Sequence, residues 1–222
     1  MNEDKRALRI GRAEDSLSVE KFYSIFGGVL FYGFLMNAIF AVFFTNVFLN
    51  MNPLVLMIGY LVLALTGVFL SKFGGPLVSF IGYNLVVLPS GALISVVLIN
   101  YGYSDIIAAL FIVALDTLVM LLISMKFPEK MLNLGFPLFV CLGVGIVAEL
   151  ICLLFSLSTS IFDFIFVIIF TGYLGYDFSV VSQYDKTLDN AIDSALDVYL
   201  DIINLFLRIL SIMGGSKNNR RR

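Results

Sequence analysis

The chain has no histidine and no tryptophan, only two cysteines, and only 14% charged residues. The missing histidine excludes His-ligated metal centres and Ser–His or Cys–His nucleophilic catalysis. Without tryptophan, any aromatic belt at a membrane interface must use tyrosine. Cys141 and Cys152 fall on one predicted helix, about 16 Å apart along its axis, too far for a disulfide. They read as packing residues and assign no redox compartment. A soluble domain carries about 25% charge. A chain that is 60% hydrophobic, with a mean hydropathy of +1.00, is instead a polytopic membrane protein forming one bundle. The net charge of −2 says little about partners beyond the lipid bilayer, and no nucleic-acid partner is expected.

The first 20 residues are polar and mixed in charge, with no short apolar core of the kind a cleavable signal needs. They are expected to be a cytoplasmic tail, either a short amphipathic helix or disordered, and the first span to act as its own insertion signal. Seven apolar segments follow, at about 22–49, 53–71, 76–99, 106–125, 132–156, 161–177 and 194–213. Each is near the ~20 residues that a ~30 Å hydrocarbon core requires. Pro53, Gly74-Gly75-Pro76 and Pro128 punctuate them, and the short links predict antiparallel neighbours. The expected division is a tail over 1–20, a seven-helix transmembrane bundle over 21–213 and a basic tail over 214–222.

Lysine and arginine set the expected orientation. The amino-terminal tail and alternate loops carry Lys5, Arg6, Arg9, Arg12, Lys21, Lys72, Lys126, Lys130 and Lys186, whereas the loops at 49–53, 100–105 and 156–160 carry none. The amino terminus is therefore expected in the cytoplasm. Seven spans then place the basic end, GGSKNNRRR, outside; a re-entrant hairpin in place of the last span would place it inside.

The last segment organises the rest. It carries Asp193, Asp197, Asp201, Asn204 and Arg208, which at 100° per residue fall at about 0°, 40°, 80°, 20° and 60° around a helix. All five share one narrow stripe, with apolar residues filling the remainder. A charge facing lipid at bilayer depth costs roughly 2.5–3.5 kcal/mol, so the stripe must face protein or water. This helix is expected at the axis of the bundle. Asp177 closes the sixth segment and Asp201 lies about 12 Å into the seventh from the same side, so the two carboxylates can meet inside the cytoplasmic mouth. Two carboxyls in a low-dielectric site do not both ionise cheaply; they share a proton. That makes a latch: protonated, it holds two helices together, and ionised, it releases them.

Other charges at membrane depth have candidate roles. Asp116, midway along the fourth segment, is either protonated and hydrogen-bonded or on a wet path. Glu149, with Asp163 and Asp105, suits an acidic outer vestibule that concentrates cations. Asp116, Glu149 and Asp197 are thus candidates for an ion path. Arg208 and Lys72 are the counter-ion candidates, Arg208 as a partner of Glu149 and Lys72 either as a cytoplasmic anchor or beside the carboxylate pair. Asn37, Asn84 and Asn204 are candidate interhelical hydrogen bonders. Acids outnumber bases at depth, which favours cations. Oxygen ligands alone suit Ca²⁺ or H⁺ better than Zn²⁺ or Cu⁺.

The run GYLGYDFSVVSQYDKTLDNAIDSALDVYLDIINLFLRIL resembles the carboxy-terminal half of the Bax inhibitor-1 family, the transmembrane BAX-inhibitor-motif proteins, including its bacterial members. In that family a Tyr–Asp ends the sixth helix and a YLDxxNLF run forms the seventh. Tyr176-Asp177 and Tyr199-Leu200-Asp201-Ile202-Ile203-Asn204-Leu205-Phe206 fit both. The resemblance implies six helices around a central seventh and a pH-sensitive calcium leak whose sensor is a hydrogen-bonded aspartate pair, here Asp177 and Asp201. It also implies membrane-protein partners, such as a membrane protease or cell-death regulators in some members. Asp197 departs from the pattern, where members carry a small or hydroxyl residue. Asp116 and Glu149 depart as well. A second-helix arginine of the family has Lys72 as its only counterpart.

The expected function is a pH-sensitive calcium channel of a bacterial cell membrane, not an enzyme, with Ca²⁺ as permeant ion, H⁺ as regulator, no other cofactor, and a monomeric or weakly oligomeric state. The alternatives are a proton-coupled transporter, a regulatory subunit without its own ion path, and an intramembrane aspartyl protease. The last needs GxGD where this chain has VYLD, and without those glycines the backbone does not open readily to a substrate strand.

Overall fold

The computed structural model describes residues 16–218, with side chains to 214. The first 15 residues of the expected amino-terminal tail, and the last four residues of the chain, lie outside the described residues. Seven long helices follow one another: α1 (Val19–Leu49), α2 (Pro53–Phe73), α3 (Pro76–Leu98), α4 (Tyr103–Lys126), α5 (Pro128–Leu154), α6 (Ser160–Gln183) and α7 (Leu188–Asn218). Among the described residues there is no strand, only an isolated bridge between Ser16 and Thr187.

The punctuation works as the sequence predicts. Pro53, Pro76 and Pro128 each open a helix, where a missing N–H costs nothing. Asn52 caps α2 by accepting from the Leu54 N–H at 2.9 Å. At the end of α5, Ser156 takes a positive φ of 53° and the Leu157 N–H returns to the Cys152 carbonyl, a hydrogen-bonded stop. Two irregularities lie inside helices. Residues Phe40–Phe44 of α1 form a π-helical turn, and Pro89 sits within α3.

The first six helices are each long and apolar enough to cross a membrane. Their outer faces carry bare Phe43, Phe73, Leu77, Phe111 and Leu154, as lipid contact demands. The seventh helix differs. At 31 residues it is more than long enough, but it is more polar than the other six, and most of its residues between Asn190 and Leu210 are buried. It runs unbroken, so it is one helix and not a re-entrant hairpin.

Two boundaries depart from the sequence reading. The sixth helix does not stop at Asp177 but continues to Gln183, and the seventh begins at Leu188, so a four-residue link replaces the longer loop expected between the segments 161–177 and 194–213. The stretch DFSVVSQ is too polar to read as a span, yet nothing in it breaks a helix. Ser179 and Ser182 bond back to the carbonyls of Gly175 and Ser179. The start of α7 is capped by Thr187, whose hydroxyl accepts from the Asn190 N–H at 3.2 Å. Apolarity marks immersion in the bilayer; these helices outrun it.

The chain forms two compact units. One contains α1–α3 with residues 183–199; the other contains α4–α6 with the chain from Leu200 onward. The last helix belongs to both. In the first unit α2 and α3 cross at Gly67 and Gly82. A Cβ on Gly82 would come within 2.5 Å of the Gly67 carbonyl, and one on Gly67 would strike the Gly82 carbonyl. Backbone cannot yield as a flexible side chain can. Gly67→Val should therefore lower the unfolding midpoint in detergent, with a loss of about 1–3 kcal/mol; an unchanged melting curve would show that the crossing is looser than it looks.

Candidate functional site

Three polar contacts grip the first half of α7, one from each helix of its unit. Ser79 of α3 donates to Asp189 at 2.6 Å. Lys72 of α2 meets both carboxylate oxygens of Asp197, at 2.8 and 3.0 Å. Asn37 of α1 and Tyr199 exchange hydrogen bonds of 2.8 and 3.2 Å. Lys72 is thus engaged by Asp197. Asp197, read as a lining residue of an ion path, is half of a bidentate ion pair. The pair is about 30% exposed on each side, so solvent screens it.

Around Tyr199 the packing is tight. Its ring lies 5.8 Å from that of Tyr83 and 5.6 Å from that of Phe34. Gly33 leaves the room: a Cβ there would strike the Tyr83 hydroxyl and sit 3.1 Å from the Tyr199 ring. Tyr83 donates to the Val29 carbonyl at 2.8 Å, and Ser90 lies in hydrogen-bonding reach of Tyr199 and Tyr60. Asn37, Ser90, Tyr83 and Tyr199 are all buried. Every member of this cluster finds a partner, as polar groups away from water must.

The second half of α7 has its own anchor. Arg208 donates bidentately to Glu149 of α5 at 2.7 and 2.9 Å and to Asp163 of α6 at 3.0 Å, while its guanidinium lies 4.3 Å above the Phe166 ring. Ser211 donates to the other Asp163 oxygen at 2.6 Å. The expected pairing with Glu149 is present. The expected acidic vestibule is not an open one: Glu149 and Asp163 share a single arginine, and Asp105 is buried in the first turn of α4. Glu149, proposed for an ion path, is one arm of this triad.

Between the two anchors lies Asp201, buried, thirteen residues into α7. Asp177 is on α6, four residues after Tyr173, inside the helix instead of at its end. Asp201 and Asp177 both act electrostatically on the Tyr173 phenol, as do Tyr176 and Cys141. The two aspartates singled out in the sequence belong to the same unit as this tyrosine. Asp116, midway along α4, accepts a hydrogen bond from Thr171 of α6 at 3.1 Å. Of the three asparagines, Asn37 bonds across helices. Asn84 accepts from Tyr32 at 2.7 Å, also across helices, and Asn204 donates to Leu200 on its own helix.

Sequence reasoning missed Tyr173, Tyr199 as an anchor, Asp163 as a partner of Arg208, and the Ser79–Asp189 contact. Spacing alone had a hint of the first, since Tyr173 precedes Asp177 by one helical turn and so shares its face. The others join residues 45 to 162 positions apart, which no local pattern reveals.

Among the described residues no cluster of acidic or cysteine side chains is arranged to hold a metal ion. The 184–187 link is tied down from the amino-terminal side. The Leu17 N–H donates to the Lys186 carbonyl at 2.6 Å, and the Lys186 ammonium lies 4.7 Å over the Phe22 ring and 5.4 Å over that of Tyr23. Burial pushes the Lys186 ammonium below its ordinary value, with the Asp185 carboxylate pulling the other way.

Six apolar helices and a buried polar seventh with ion pairs at Asp197 and Arg208 define an all-α, multi-pass integral membrane protein. Residues 16–219 match the family model described as Inhibitor of apoptosis-promoting Bax1, and the chain belongs to this Bax inhibitor-1 family. A search of curated proteins finds no match.

Proposed function

We propose that this protein is a pH-sensitive calcium leak channel, gated by a proton shared between Asp177 and Asp201. What supports the reading is that Asp177, inside α6, and buried Asp201, inside α7, belong to one unit and both bear electrostatically on the Tyr173 phenol. A proton between two carboxyls in a medium of low dielectric binds α6 to α7; losing it sets two like charges against each other and drives the helices apart. The excess of acids at depth favours cations over anions, and oxygen donors favour a hard cation such as Ca²⁺. Asp116, in the middle of α4, is the polar step on the ion's way. Lys72 and Arg208 hold α7 at two points along its length and balance its charge. No enzymatic step and no bound cofactor belong to this reading. The protein works in the lipid bilayer as a monomer or weak oligomer, with its amino terminus in the cytoplasm of a bacterial cell, and a membrane protease is a fitting protein partner.

The test is flux in liposomes holding the purified protein, compared for Ca²⁺, Na⁺ and K⁺ between about pH 6 and pH 8. Calcium entry that rises with pH supports the channel. Saturable uptake with counterflow would replace it by a proton-coupled transporter. Absence of flux at every pH would leave a regulatory subunit without an ion path.

A further inference from the structure

Two breaks in helix regularity lie side by side in the unit of α1–α3. The first is the π turn Phe40–Phe44 of α1. Its sequence, FAVFF, has no glycine, proline or serine to force the change, so packing sets it. A Cβ on Gly91 of α3 would come within 2.5 Å of the Phe40 ring and 3.0 Å of the Asn37 amide oxygen, so Gly91 is the notch that seats this ring. The second break is Pro89, just before Gly91, which has no N–H to give the Leu85 carbonyl. Both helices thus leave the regular hydrogen-bond ladder beside one contact. On one side of that contact α1 is held. Phe22, Phe26, Gly33 and Asn37 are buried, and Asn37 exchanges hydrogen bonds with Tyr199. On the other side it is not: no residue from Phe40 to Leu49 is buried.

The other leg of this hairpin behaves alike. The first buried residue of α2 is Gly67, well past its start at Pro53. Gly59 lies about 9 Å into α2, and nothing stands within 4 Å of where its Cβ would be. Packing does not ask for a glycine there, and a glycine inside a helix weakens it. The π turn lies at a matching depth, about 8–14 Å from Leu49 at the end of α1. Between these two soft points the tip is well bonded. The Asn50 amide donates to the Asn46 carbonyl at 2.8 Å, the Met51 N–H returns to the Phe48 carbonyl at 3.1 Å, and Asn52 caps α2. A bonded piece with few buried contacts, joined to fixed helices at two weak points, moves as a body. We infer that the tip of the α1–α2 hairpin, residues 45–58, is a flap that swings on the π turn and Gly59. Phe40 in the Gly91 notch is its pivot. The turn Thr45–Leu49 touches α3, so the swing parts the end of α1 from the end of α3. The inference stands apart from the channel reading.

The experiment is a distance measurement between paired spin labels on the full chain in nanodiscs, with Cys141 and Cys152 replaced by alanine. Labels at Val47→Cys and Ile99→Cys, both exposed, span the ends of α1 and α3. Labels at Phe31→Cys and Ile81→Cys, also exposed, span the same two helices on the held side of the π turn. The first pair should show two distances and the second pair one. Gly59→Ala should lower the share of the longer distance about fivefold, the weight of alanine's helix preference over glycine. Its methyl meets no neighbour, so the fold is kept. Phe40→Ala empties the notch and should raise that share. A single narrow distance at the tip in both the wild type and Phe40→Ala overturns the inference. So does equal breadth in the two label pairs, which would mean that α1 moves whole, and so does a Gly59→Ala protein whose distances match the wild type.

Discussion

Asp201→Asn is expected to flatten the pH profile of calcium flux at a low level, and Asp201→Ala to flatten it at a high one. The difference follows from what each replacement can do opposite Asp177. An asparagine amide donates to the Asp177 carboxylate whatever the pH, so the hold between α6 and α7 persists and no longer titrates. Alanine offers no donor, and α7 is released at every pH. A latch that opens by losing one proton can change flux by at most about tenfold per pH unit. Both variants should compress that to less than about twofold across the range from pH 6 to pH 8. The measurement is calcium entry into liposomes with an indicator inside. An Asn variant that keeps the wild-type slope would remove Asp201 from the sensor, and two flat profiles at the same level would mean that the carboxylate conducts but does not latch.

Arg208→Met should be the most destabilising single change in the second unit. The arginine holds three donor contacts to Glu149 and Asp163, whose side chains are only 18% and 14% exposed. Without it, two carboxylates and the Ser211 hydroxyl remain around an uncompensated negative charge. Breaking a buried pair in this way costs about 3–5 kcal/mol. Because the guanidinium is itself 27% exposed, the lower end of that range is expected, and added salt should recover little. Denaturant or thermal unfolding in detergent measures it. Adding Glu149→Gln and Asp163→Asn to Arg208→Met removes the unpaired charges and should return most of the loss. A triple variant no more stable than the single one would show that the arginine's contact with Phe166, and not its charge, is what matters.

Much of this was legible in the chain. Seven apolar stretches, three helix-opening prolines and the polar stripe on the last helix all come from local composition and a 3.6-residue period, which the backbone obeys directly. Arg208 with Glu149 was legible too, because a lone cation at depth must seek a carboxylate and few are available. What stayed hidden has two physical causes. The ends of α6 and α7 were misplaced because hydropathy reports contact with lipid and helices need not stop at the lipid boundary. The partners of Lys72 and Tyr199 were hidden because they lie 125 and 162 residues away, and only the crossing of helices brings them near. The stripe read as uniform is three things: Asp197 bonded within the first unit, Arg208 bonded within the second, and Asp201 buried between the two anchors.

The link between α6 and α7 carries one more consequence. Four residues stretch to at most about 14 Å, and this link is also pinned by Leu17 and by the rings of Phe22 and Tyr23. The two helices are thus joined like the blades of scissors near one end. They cannot slide past each other by much, and any parting must grow with distance from the pivot, widest at the far tips.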